Sequence, residues 1–278
     1  MTTTPSIPTL VQNDGRAIPQ IGLGIFGPDN DRTADAVTAA IETGYRLIDT
    51  AALYENEAGV GEGIRRSGIA REELYVTTKL AGPDHGYQSA LAAFETSLGL
   101  LGLDYVDLYL IHWPLPGVNK YVETWKAFES ILGDGRAKSI GVSNFHAAHL
   151  DRLAAESGVV PAVNQIELHP SLQNASLRAE NARRGILTEA WSPLGRGQIF
   201  GNPVLEAIAA KHGRTVAQIV IRWQVELGNV VIPKSVTPAR LAENLAVFDF
   251  ALDPDDLAAI GTVETGVRTG DDPDLFNG

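Results

Sequence analysis

Four side chains that could move a proton stand at or just after short apolar runs of this chain: Asp49, Tyr54, Lys79 and His112. A free phenol, with a pKa of about 10, is a poor acid at neutral pH. An ammonium group beside the phenol stabilises the phenolate and lowers that pKa. We predict that Lys79 is this ammonium, that Asp49 keeps it charged and oriented, and that Tyr54 gives its proton to a carbonyl oxygen.

His112 completes the set, because an imidazole can donate a hydrogen bond to the same oxygen and align the substrate. Each of the four residues has an ordinary explanation when it is taken alone. A tyrosine packs in a core, a lysine is solvated, and an aspartate after a strand caps a helix. Their shared position after predicted strands is what predicts a site for proton delivery.

The elements that must position these side chains follow a regular alternation. Segments of helical period, such as ADAVTAAIETG and TVAQIVIRWQVELG, separate eight short apolar runs: QIGLG, RLIDT, LYVTTKL, VDLYLIHW, AKSIGVSN, AVNQIE, ILTEAW and VVIPKS. Strands that alternate with helices form parallel βαβ units. Eight such units predict an α/β fold, the (β/α)8 TIM barrel, in which catalytic groups lie at the carboxyl ends of the strands.

Two additions to the barrel are predicted. The turn residues Asn13-Asp14-Gly15, between short apolar stretches, indicate an N-terminal β-hairpin. The amphipathic segment NPVLEAIAAKHG predicts an extra helix late in the chain. No linker or low-complexity tract interrupts the pattern, so we expect residues 1–278 to form a single domain.

Polar or aromatic residues end most of the eight runs. Burying so many polar groups without a function would cost about 1–3 kcal/mol for each unsatisfied group, so a purely structural explanation fails. In a barrel these residues share one mouth, the end where the carboxyl ends of the strands open. They are Asp49, Lys79, His112, Trp113, Ser143, Asn144, Gln165, Glu167, Trp191, Lys234 and Ser235.

Two other interpretations fit part of the sequence. The stretch GLGIFG, residues 22–27, matches the glycine pattern of a dinucleotide-binding βαβ unit. There Pro28-Asp29-Asn30 is expected to interrupt the chain before any helix begins. Alternatively, Asp49 could pair with Glu167 or with Glu189, and the pair would supply the two carboxylates of a glycosidase. That arrangement leaves the tyrosine and the lysine without a role.

Composition limits the partners. The chain has 278 residues, a net charge of −12 and no cysteine. Nucleic acids and anionic membranes require a basic face, so neither is an expected partner. The start MTTTPSIPTL has no secretory pattern, and no apolar run reaches the about 18 residues of a membrane span. We expect a cytoplasmic monomer that acts on a small molecule.

Other histidines receive ordinary explanations. His146 and His149 are spaced like a metal pair, but no acidic or histidine partner stands nearby in the sequence. A helix surface, and no metal, is therefore predicted. His85 is expected in a loop, at the rim of the mouth or in solvent. The C-terminal tail (Gly261–Gly278), with Arg268, is expected at the same rim.

The order of the motifs points to a family. The chain carries, in sequence, DTAALYENE, TTKL, LYLIHWP, IGVSNF, NQIELHP, SPLG and IPKSVTP. With these motifs it resembles the aldo-keto reductase superfamily, most closely bacterial reductases of the 2,5-diketo-D-gluconic acid reductase type. The resemblance implies a TIM barrel that binds NADPH without a Rossmann fold. It also places the family's catalytic tetrad on Asp49, Tyr54, Lys79 and His112.

The resemblance implies a place for the cofactor as well. Ser143, Asn144 and Gln165 match the residues that hold its carboxamide, Trp191 matches the aromatic that stacks under the nicotinamide ring, and Ile25 is a further contact. The loop over the pyrophosphate corresponds to Ser192, Leu194 and Gly195. The 2′-phosphate pocket corresponds to Lys234, Ser235, Val236 and Arg240. The adenine site corresponds to Glu243 and Asn244.

These assignments predict a reaction. A lysine, a hydroxyl and an arginine beside a helix start suit a dianionic phosphate, which favours NADPH over NADH. Phe26 and Trp113 are expected to line the substrate pocket with Tyr54 and His112. The resemblance implies NADPH-dependent reduction of aldehydes, α-dicarbonyls or keto-sugars to alcohols. Potassium-channel β-subunits resemble the same family, so an NADPH-binding sensor with little turnover is the alternative.

Overall fold

Eight parallel strands form one sheet whose order follows the chain. The structure, a computed structural model, describes residues 7–27 and 29–278. The strands are β3 (Leu23–Gly24), β4 (Leu47–Asp49), β5 (Tyr75–Leu80), β6 (Val106–Ile111), β7 (Ala137–Ser143), β8 (Val163–Glu167), β9 (Leu187–Trp191) and β10 (Val230–Val231). Each corresponds to one of the eight predicted runs, and the predicted barrel is confirmed.

Ten helices are found in the described part of the chain, and most of them alternate with the strands. They are α1 (Asn30–Thr43), α2 (Glu57–Ser67), α3 (Tyr87–Leu101), α4 (Tyr121–Gly133), α5 (Ala147–Glu156), α6 (Ala175–Arg183), α7 (Pro203–His212), α8 (Val216–Glu226), α9 (Pro238–Leu245) and α10 (Pro254–Gly261). The predicted extra helix is α7. None of the helices in residues 7–27 and 29–278 is long and apolar enough to span a membrane.

The sheet closes into a barrel between its first and last strands. Parallel bridges join Ile21 to Val231 and Gly24 to Lys234. The backbones approach so closely here that a Cβ at Gly24 would lie 2.8 Å from the Ile232 carbonyl oxygen. Glycine is therefore required at this seam for strand packing.

The GLGIFG stretch lies on this seam and not in a dinucleotide-binding loop. A Cβ at Gly22 would overlap the Leu47 side chain, so this glycine too serves strand packing. Helix α1 begins at Asn30 with Asp29 as its N-cap, which is sooner after the glycines than predicted. Pro28 lies outside the described residues. Because β3 belongs to a closed barrel, the rejection of the Rossmann interpretation is confirmed.

Strand alternation decides which side chains enter the barrel. Successive side chains of a strand point to opposite faces, so Leu108 and Leu110 of β6 face inward while Tyr109 packs outward against Phe94 and Phe128. On β4, β5 and β8 the inward series likewise begins with a residue of the same hydrophobic cluster and ends with a charged one. This hydrophobic layer therefore lies below, and the charged strand ends lie above it at the mouth.

The predicted hairpin, β1 (Thr9–Val11) with β2 (Ala17–Pro19), is confirmed and lies against the lower layer. Ile18 is fully buried in the same cluster as Leu47 and Leu108. Gln12, in the hairpin turn, donates to the Tyr75 hydroxyl at 2.9 Å. The hairpin thus covers the end of the barrel opposite the mouth.

The contact between α2 and α3 provides a test of this packing. A Cβ at Gly61 would overlap the Leu101 carbonyl oxygen, whereas a Cβ at Gly99 would meet nothing within 4 Å. We expect Gly61→Ala to lower the free energy of unfolding by about 1–3 kcal/mol through overpacking. Gly99→Ala should raise it by about 0.5–1 kcal/mol through helix propensity. Urea unfolding of both variants checks this pair, and equal effects would contradict it.

Candidate active site

A buried ion pair joins β4 to β5 inside the mouth. Lys79 Nζ lies 2.5 Å from Asp49 Oδ1 and donates to the Thr50 carbonyl oxygen at 2.8 Å. Asp49 is 2% exposed and Lys79 is 0% exposed. A buried charge without a partner costs on the order of several kcal/mol, so each of these two residues requires the other.

Tyr54 and His112 reach the pair from two loops. Tyr54 ends a single turn of 3-10 helix, Ala52–Tyr54, shortly after β4, and His112 is the first residue after β6. Tyr54 Oη lies 3.4 Å from His112 Nε2, and Lys79 Nζ lies 5.1 Å from the centre of the Tyr54 ring. The structure therefore brings together all four residues that were predicted to be catalytic.

Burial decides the protonation of the phenol. Burial raises the pKa of Tyr54, and the Lys79 ammonium lowers it by a smaller amount. The predicted net lowering of this pKa is therefore wrong, because the ammonium opposes burial without outweighing it. Tyr54 keeps its proton at neutral pH, which is the state that a proton donor requires.

Lys79 is charged and His112 is neutral at neutral pH. Burial lowers the pKa of Lys79, but the neighbouring Asp49 and Tyr54 more than compensate, so the pKa is raised and the ammonium stays charged. Burial and the Lys79 charge hold the pKa of His112 well below its usual range. The imidazole is therefore neutral at neutral pH.

Glu189, which the sequence interpretation considered only as a glycosidase carboxylate, is a member of this cluster. Gln165 Nε2 donates to Asp49 Oδ2 at 2.8 Å and to Glu189 Oε2 at 3.0 Å, so one amide joins two buried carboxyl groups. Burial and the Asp49 charge raise the pKa of Glu189 to about 8. Glu189 lies two positions before Trp191 on the inward face of β9, and this alternation was the signal that could have found it.

The residues predicted to bind a carboxamide form one network at the ends of β7 and β8. Ser143 Oγ donates to the Gln165 carbonyl oxygen at 2.8 Å, and Asn144 Nδ2 donates to the His112 carbonyl oxygen at 3.0 Å. Trp191 Nε1 donates to Asn144 Oδ1 at 2.8 Å. The network therefore connects the half-buried Trp191 ring to His112 of the proton-delivery cluster.

Lys234 and Arg240 lie on the exposed side of the mouth. Lys234 Nζ is 5.6 Å from the centre of the Phe26 ring, which is itself 4.9 Å from the Tyr54 ring. Arg240 lies in the first turn of α9. Neither cation forms a salt bridge with a residue in 7–27 or 29–278. Two unpaired cations near a helix start fit a dianionic phosphate.

The other predicted cofactor contacts differ in exposure. Ile25 is 1% exposed in the hydrophobic core, and the Glu243 carboxylate accepts from the Thr215 hydroxyl at 2.7 Å, so both side chains already have protein contacts. The remaining residues include buried and partly exposed positions. Gly195, Ser235 and Asn244 are buried, Ser192 and Leu194 are half-buried, and Val236 is exposed.

The C-terminal tail packs against the rim on the side of Trp113. The Phe276 and Trp113 ring centres are 4.6 Å apart, and Asn277 Oδ1 accepts from the Gly117 amide at 2.5 Å. Arg268 Nη2 donates to His146 Nε2 at 3.1 Å. Trp113 follows His112 directly, so the tail lies close to the proposed reaction site.

The expectations about two histidines need correction. His85 lies in a loop, as expected, but it is 4% exposed and therefore not in solvent, and burial lowers its pKa to about 4. His149 is 8% exposed, so it is not on a helix surface. The tail also supplies the acidic partners that the local sequence lacks, because ligand atoms of His146, Asp272 and Asp274 lie within 4.8 Å of one another.

Hydrogen bonds account for this histidine cluster without an ion. Arg268 has only donors, so His146 Nε2 is an acceptor and the ring proton sits on Nδ1, 2.9 Å from Asp274 Oδ1. The His146 amide donates to His149 Nδ1 at 3.1 Å, which leaves the His149 proton on Nε2. A metal ion would need the lone pairs of those two protonated nitrogens.

Known proteins are similar to this chain in sequence and in structure. The profile of the Aldo/keto reductase family matches residues 20–264. The chain is 50% identical over 274 residues to methylglyoxal reductase DkgA of Escherichia coli (strain K12), with 98% of this chain and 99% of that protein covered. It is 52% identical over 279 residues to morphine 6-dehydrogenase of Pseudomonas putida, with coverage of 96% and 94%.

A solved structure extends the likeness to the backbone. The crystal structure of a Gox0644 mutant in complex with NADPH matches with a TM-score of 0.94 and 48% identity, covering 98% of this chain and 99% of that chain. Fold and site thus define a barrel oxidoreductase that acts on carbonyl groups. The chain belongs to the aldo/keto reductase family, and the predicted family, fold and enzyme class are confirmed.

The unusual pKa of Glu189 predicts a pH effect on stability. The folded protein holds this proton up to a pH of about 8, whereas the unfolded chain loses it near 4.5. The folded state therefore binds more protons in this window, and the contribution of Glu189 to stability falls as the pH rises through it. Replacing Glu189 by Gln removes that loss.

We expect the free energy of unfolding of Glu189→Gln, relative to the wild type, to increase by on the order of 3 kcal/mol between about pH 5 and about pH 8. Urea unfolding across this range measures it, with Glu72→Gln as an exposed control. Parallel curves for Glu189→Gln and the wild type would show that the carboxyl group is not held neutral.

Proposed function

We propose that this protein reduces small aldehydes, α-dicarbonyls or keto-sugars to alcohols with NADPH. The observation that carries the proposal is the meeting of a protonated phenol, a buried ammonium and a neutral imidazole in the mouth, at Tyr54, Lys79 and His112. The NADPH complex of a structure with a TM-score of 0.94 supports the cofactor, and the 50% identity to a methylglyoxal reductase supports the substrate class. Neither finding favours a sensor with little turnover.

NADPH, when bound, supplies the hydride for the carbonyl carbon. Tyr54 gives its proton to the carbonyl oxygen as negative charge develops there. The Lys79 ammonium, 5.1 Å from the centre of the phenol ring, stabilises the phenolate that remains. Asp49 holds that ammonium in place at 2.5 Å, so it contributes through Lys79 rather than through the substrate.

His112 orients the substrate in this scheme. Its Nδ1 is buried with no hydrogen-bond partner among the described residues. An unpaired acceptor is easier to bury than an unpaired N–H group, so the proton belongs on Nε2. That nitrogen lies 3.4 Å from Tyr54 Oη and can donate to the carbonyl oxygen that Tyr54 protonates.

The chain offers suitable groups for each part of the cofactor. Gln165 Nε2 is engaged by two carboxyl groups, which leaves Oε1 to accept from a carboxamide, beside Ser143 and Asn144. The Trp191 ring is half-buried and can stack on a nicotinamide. The further contacts that we propose are Ile25, Ser192, Leu194, Gly195, Lys234, Ser235, Val236, Arg240, Glu243 and Asn244.

Phe26 and Trp113 are the proposed walls of the substrate pocket, on either side of Tyr54 and His112. The Phe26 ring is 56% exposed and the Trp113 ring packs on the tail. Aromatic walls with few polar groups suit a small carbonyl compound whose oxygen is fixed by the tetrad. We further propose a cytoplasmic monomer in which residues 1–278 form one domain.

Replacing Tyr54 by Phe tests the proton-transfer role. We expect kcat for methylglyoxal to fall by on the order of 10²–10⁴-fold, while the Kd for NADPH stays within about twofold, because the ring and its contact with Phe26 are retained. Absorbance of NADPH and a fluorescence titration measure the two quantities. A wild-type protein that binds NADPH but consumes none with any carbonyl of a panel would favour the sensor instead.

The unpaired cations predict the choice of cofactor. Lys234→Gln and Arg240→Gln should each raise the Kd for NADPH about tenfold, as the loss of one charge-assisted hydrogen bond implies, and leave the Kd for NADH unchanged. Lys126→Gln, on the exposed face of α4, removes the same charge far from the mouth and serves as the control. Equal losses for NADPH and NADH would contradict a 2′-phosphate contact.

A further inference from the structure

Glu167 is a polar strand end that the proposed chemistry does not use. It ends β8 and is 1% exposed, yet it has no bond to the Lys79–Asp49 pair among the described contacts. His169 Nε2 lies 3.1 Å from Glu167 Oε1 and donates to it. Such a buried carboxylate needs several donors to replace water.

The other donors come from the C-terminal tail. The Thr269 amide and the Thr269 hydroxyl each donate to Glu167 Oε1 at 2.6 Å, and the Gly270 amide donates to Oε2 at 3.2 Å. Burial raises the pKa of Glu167, but these bonds and the one from His169 outweigh burial and bring the pKa to about 2. The carboxylate therefore stays charged, and its hydrogen bonds are of the strong, charge-assisted kind.

The hydrogen bonds to Glu167 hold the tail in contact with the Trp191 ring. A Cβ at Gly270 would lie only 2.6 Å from Trp191 Cη2, so the tail backbone touches the six-membered part of the indole. The five-membered part of the ring is fixed by Asn144, which accepts from Trp191 Nε1 at 2.8 Å. The indole is thus held at its five-membered ring by the barrel and at its six-membered ring by the tail.

The remaining tail contacts lie nearer the surface. The Arg268–His146 and Asp274–His146 contacts involve partly exposed groups, and Phe276 packs on the half-buried Trp113. Exposed ion pairs contribute little because solvent screens them. Glu167 therefore gives the tail a buried, charged anchor, in addition to the backbone bonds to Ser171 and the Asn277 bond to Gly117.

We propose that Glu167 is a positioning residue that fastens the tail against Trp191 and so sets the ring for NADPH and the width of the substrate pocket. It touches neither cofactor nor substrate and acts through Thr269 and Gly270. The inference deepens the proposed function and rests on it for the readouts that use NADPH, but the attachment of the tail can be measured without turnover.

Glu167→Gln keeps the size of the side chain and disturbs the anchor. The amide nitrogen replaces one carboxylate oxygen and turns an N–H donor toward either the Thr269 donors or the Gly270 amide, where the carboxylate offered only acceptors. Thr269→Val removes one hydroxyl donor and keeps the shape. Asp271→Asn removes the same charge as Glu167→Gln from an exposed position of the same tail and is the control.

Three measurements on the full-length variants test the attachment of the tail, the binding of NADPH and the shape of the substrate pocket. Trypsin cleavage after the half-buried Arg268, detected as a product of residues 1–268 by intact mass, reports release of the tail. Fluorescence titration with NADPH reports the cofactor site. Steady-state kinetics with methylglyoxal and with a bulky aromatic aldehyde report the pocket.

We expect Glu167→Gln to speed tryptic cleavage and to raise the Kd for NADPH about tenfold. The KM for methylglyoxal should rise, and the ratio of the KM for the bulky aldehyde to the KM for methylglyoxal should fall. The kcat at saturation should change by less than about threefold. Thr269→Val should show a smaller change in the same direction, and Asp271→Asn should match the wild type.

A folded Glu167→Gln variant with wild-type cleavage rate and wild-type Kd would overturn the proposal. If Glu167→Gln does not fold, the cleavage rate and the Kd for NADPH of Thr269→Val decide instead. Gly270→Ala is measured beside it: its Cβ should push against Trp191 and raise the Kd for NADPH while the bonds to Glu167 stay intact. If the wild type binds no NADPH or reduces no carbonyl, the proposed function fails, whereas the cleavage assay still supports or overturns the role of Glu167.

Discussion

The buried contact between Lys79 and Asp49 is the constraint on which the rest of the site depends. Removing both charges from water is costly, and the 2.5 Å contact between them offsets that cost together with the bonds to the Thr50 carbonyl oxygen and from the Gln165 amide. The barrel makes the contact feasible because β4 and β5 are neighbours whose inward residues lie side by side. A protein that keeps this pair has a fixed ammonium beneath the Tyr54 ring.

The other titratable groups around this pair are neutral, so the cluster as a whole carries almost no net charge. Tyr54 keeps its proton because burial outweighs the effect of the ammonium, and His112 is neutral because burial and the ammonium both lower its pKa. The pKa of Glu189 is raised to about 8. A phenol beside a fixed cation is then poised to lose its proton only when an acceptor becomes negative. The arrangement favours reaction with a carbonyl oxygen over simple ionisation.

The alternation of strands with helices and the polar strand ends were sufficient to predict the barrel and the grouping of Asp49, Tyr54, Lys79 and His112, and the turn residues were sufficient to predict the hairpin. The direction in which the pKa of Tyr54 shifts could not be predicted from the sequence, because it depends on how deeply the ring is buried. The contacts of Glu167 were also out of reach, since Thr269 lies 102 positions away in the chain. The same applies to Asp274 beside His146. For Glu189 the sequence suggested only a glycosidase role, because its link to Asp49 runs through the amide of Gln165.

Titration of Tyr54 itself tests the central claim, that the buried ammonium stabilises its phenolate. Protein labelled with ¹³C at tyrosine Cζ gives one signal for each ring, and the Tyr54 signal is the one missing from a variant with Phe at this position. We expect the pKa of Tyr54 to be higher in Lys79→Met than in the wild type, because the substitution removes the cation and leaves the burial. An equal or lower pKa in Lys79→Met would contradict the claim.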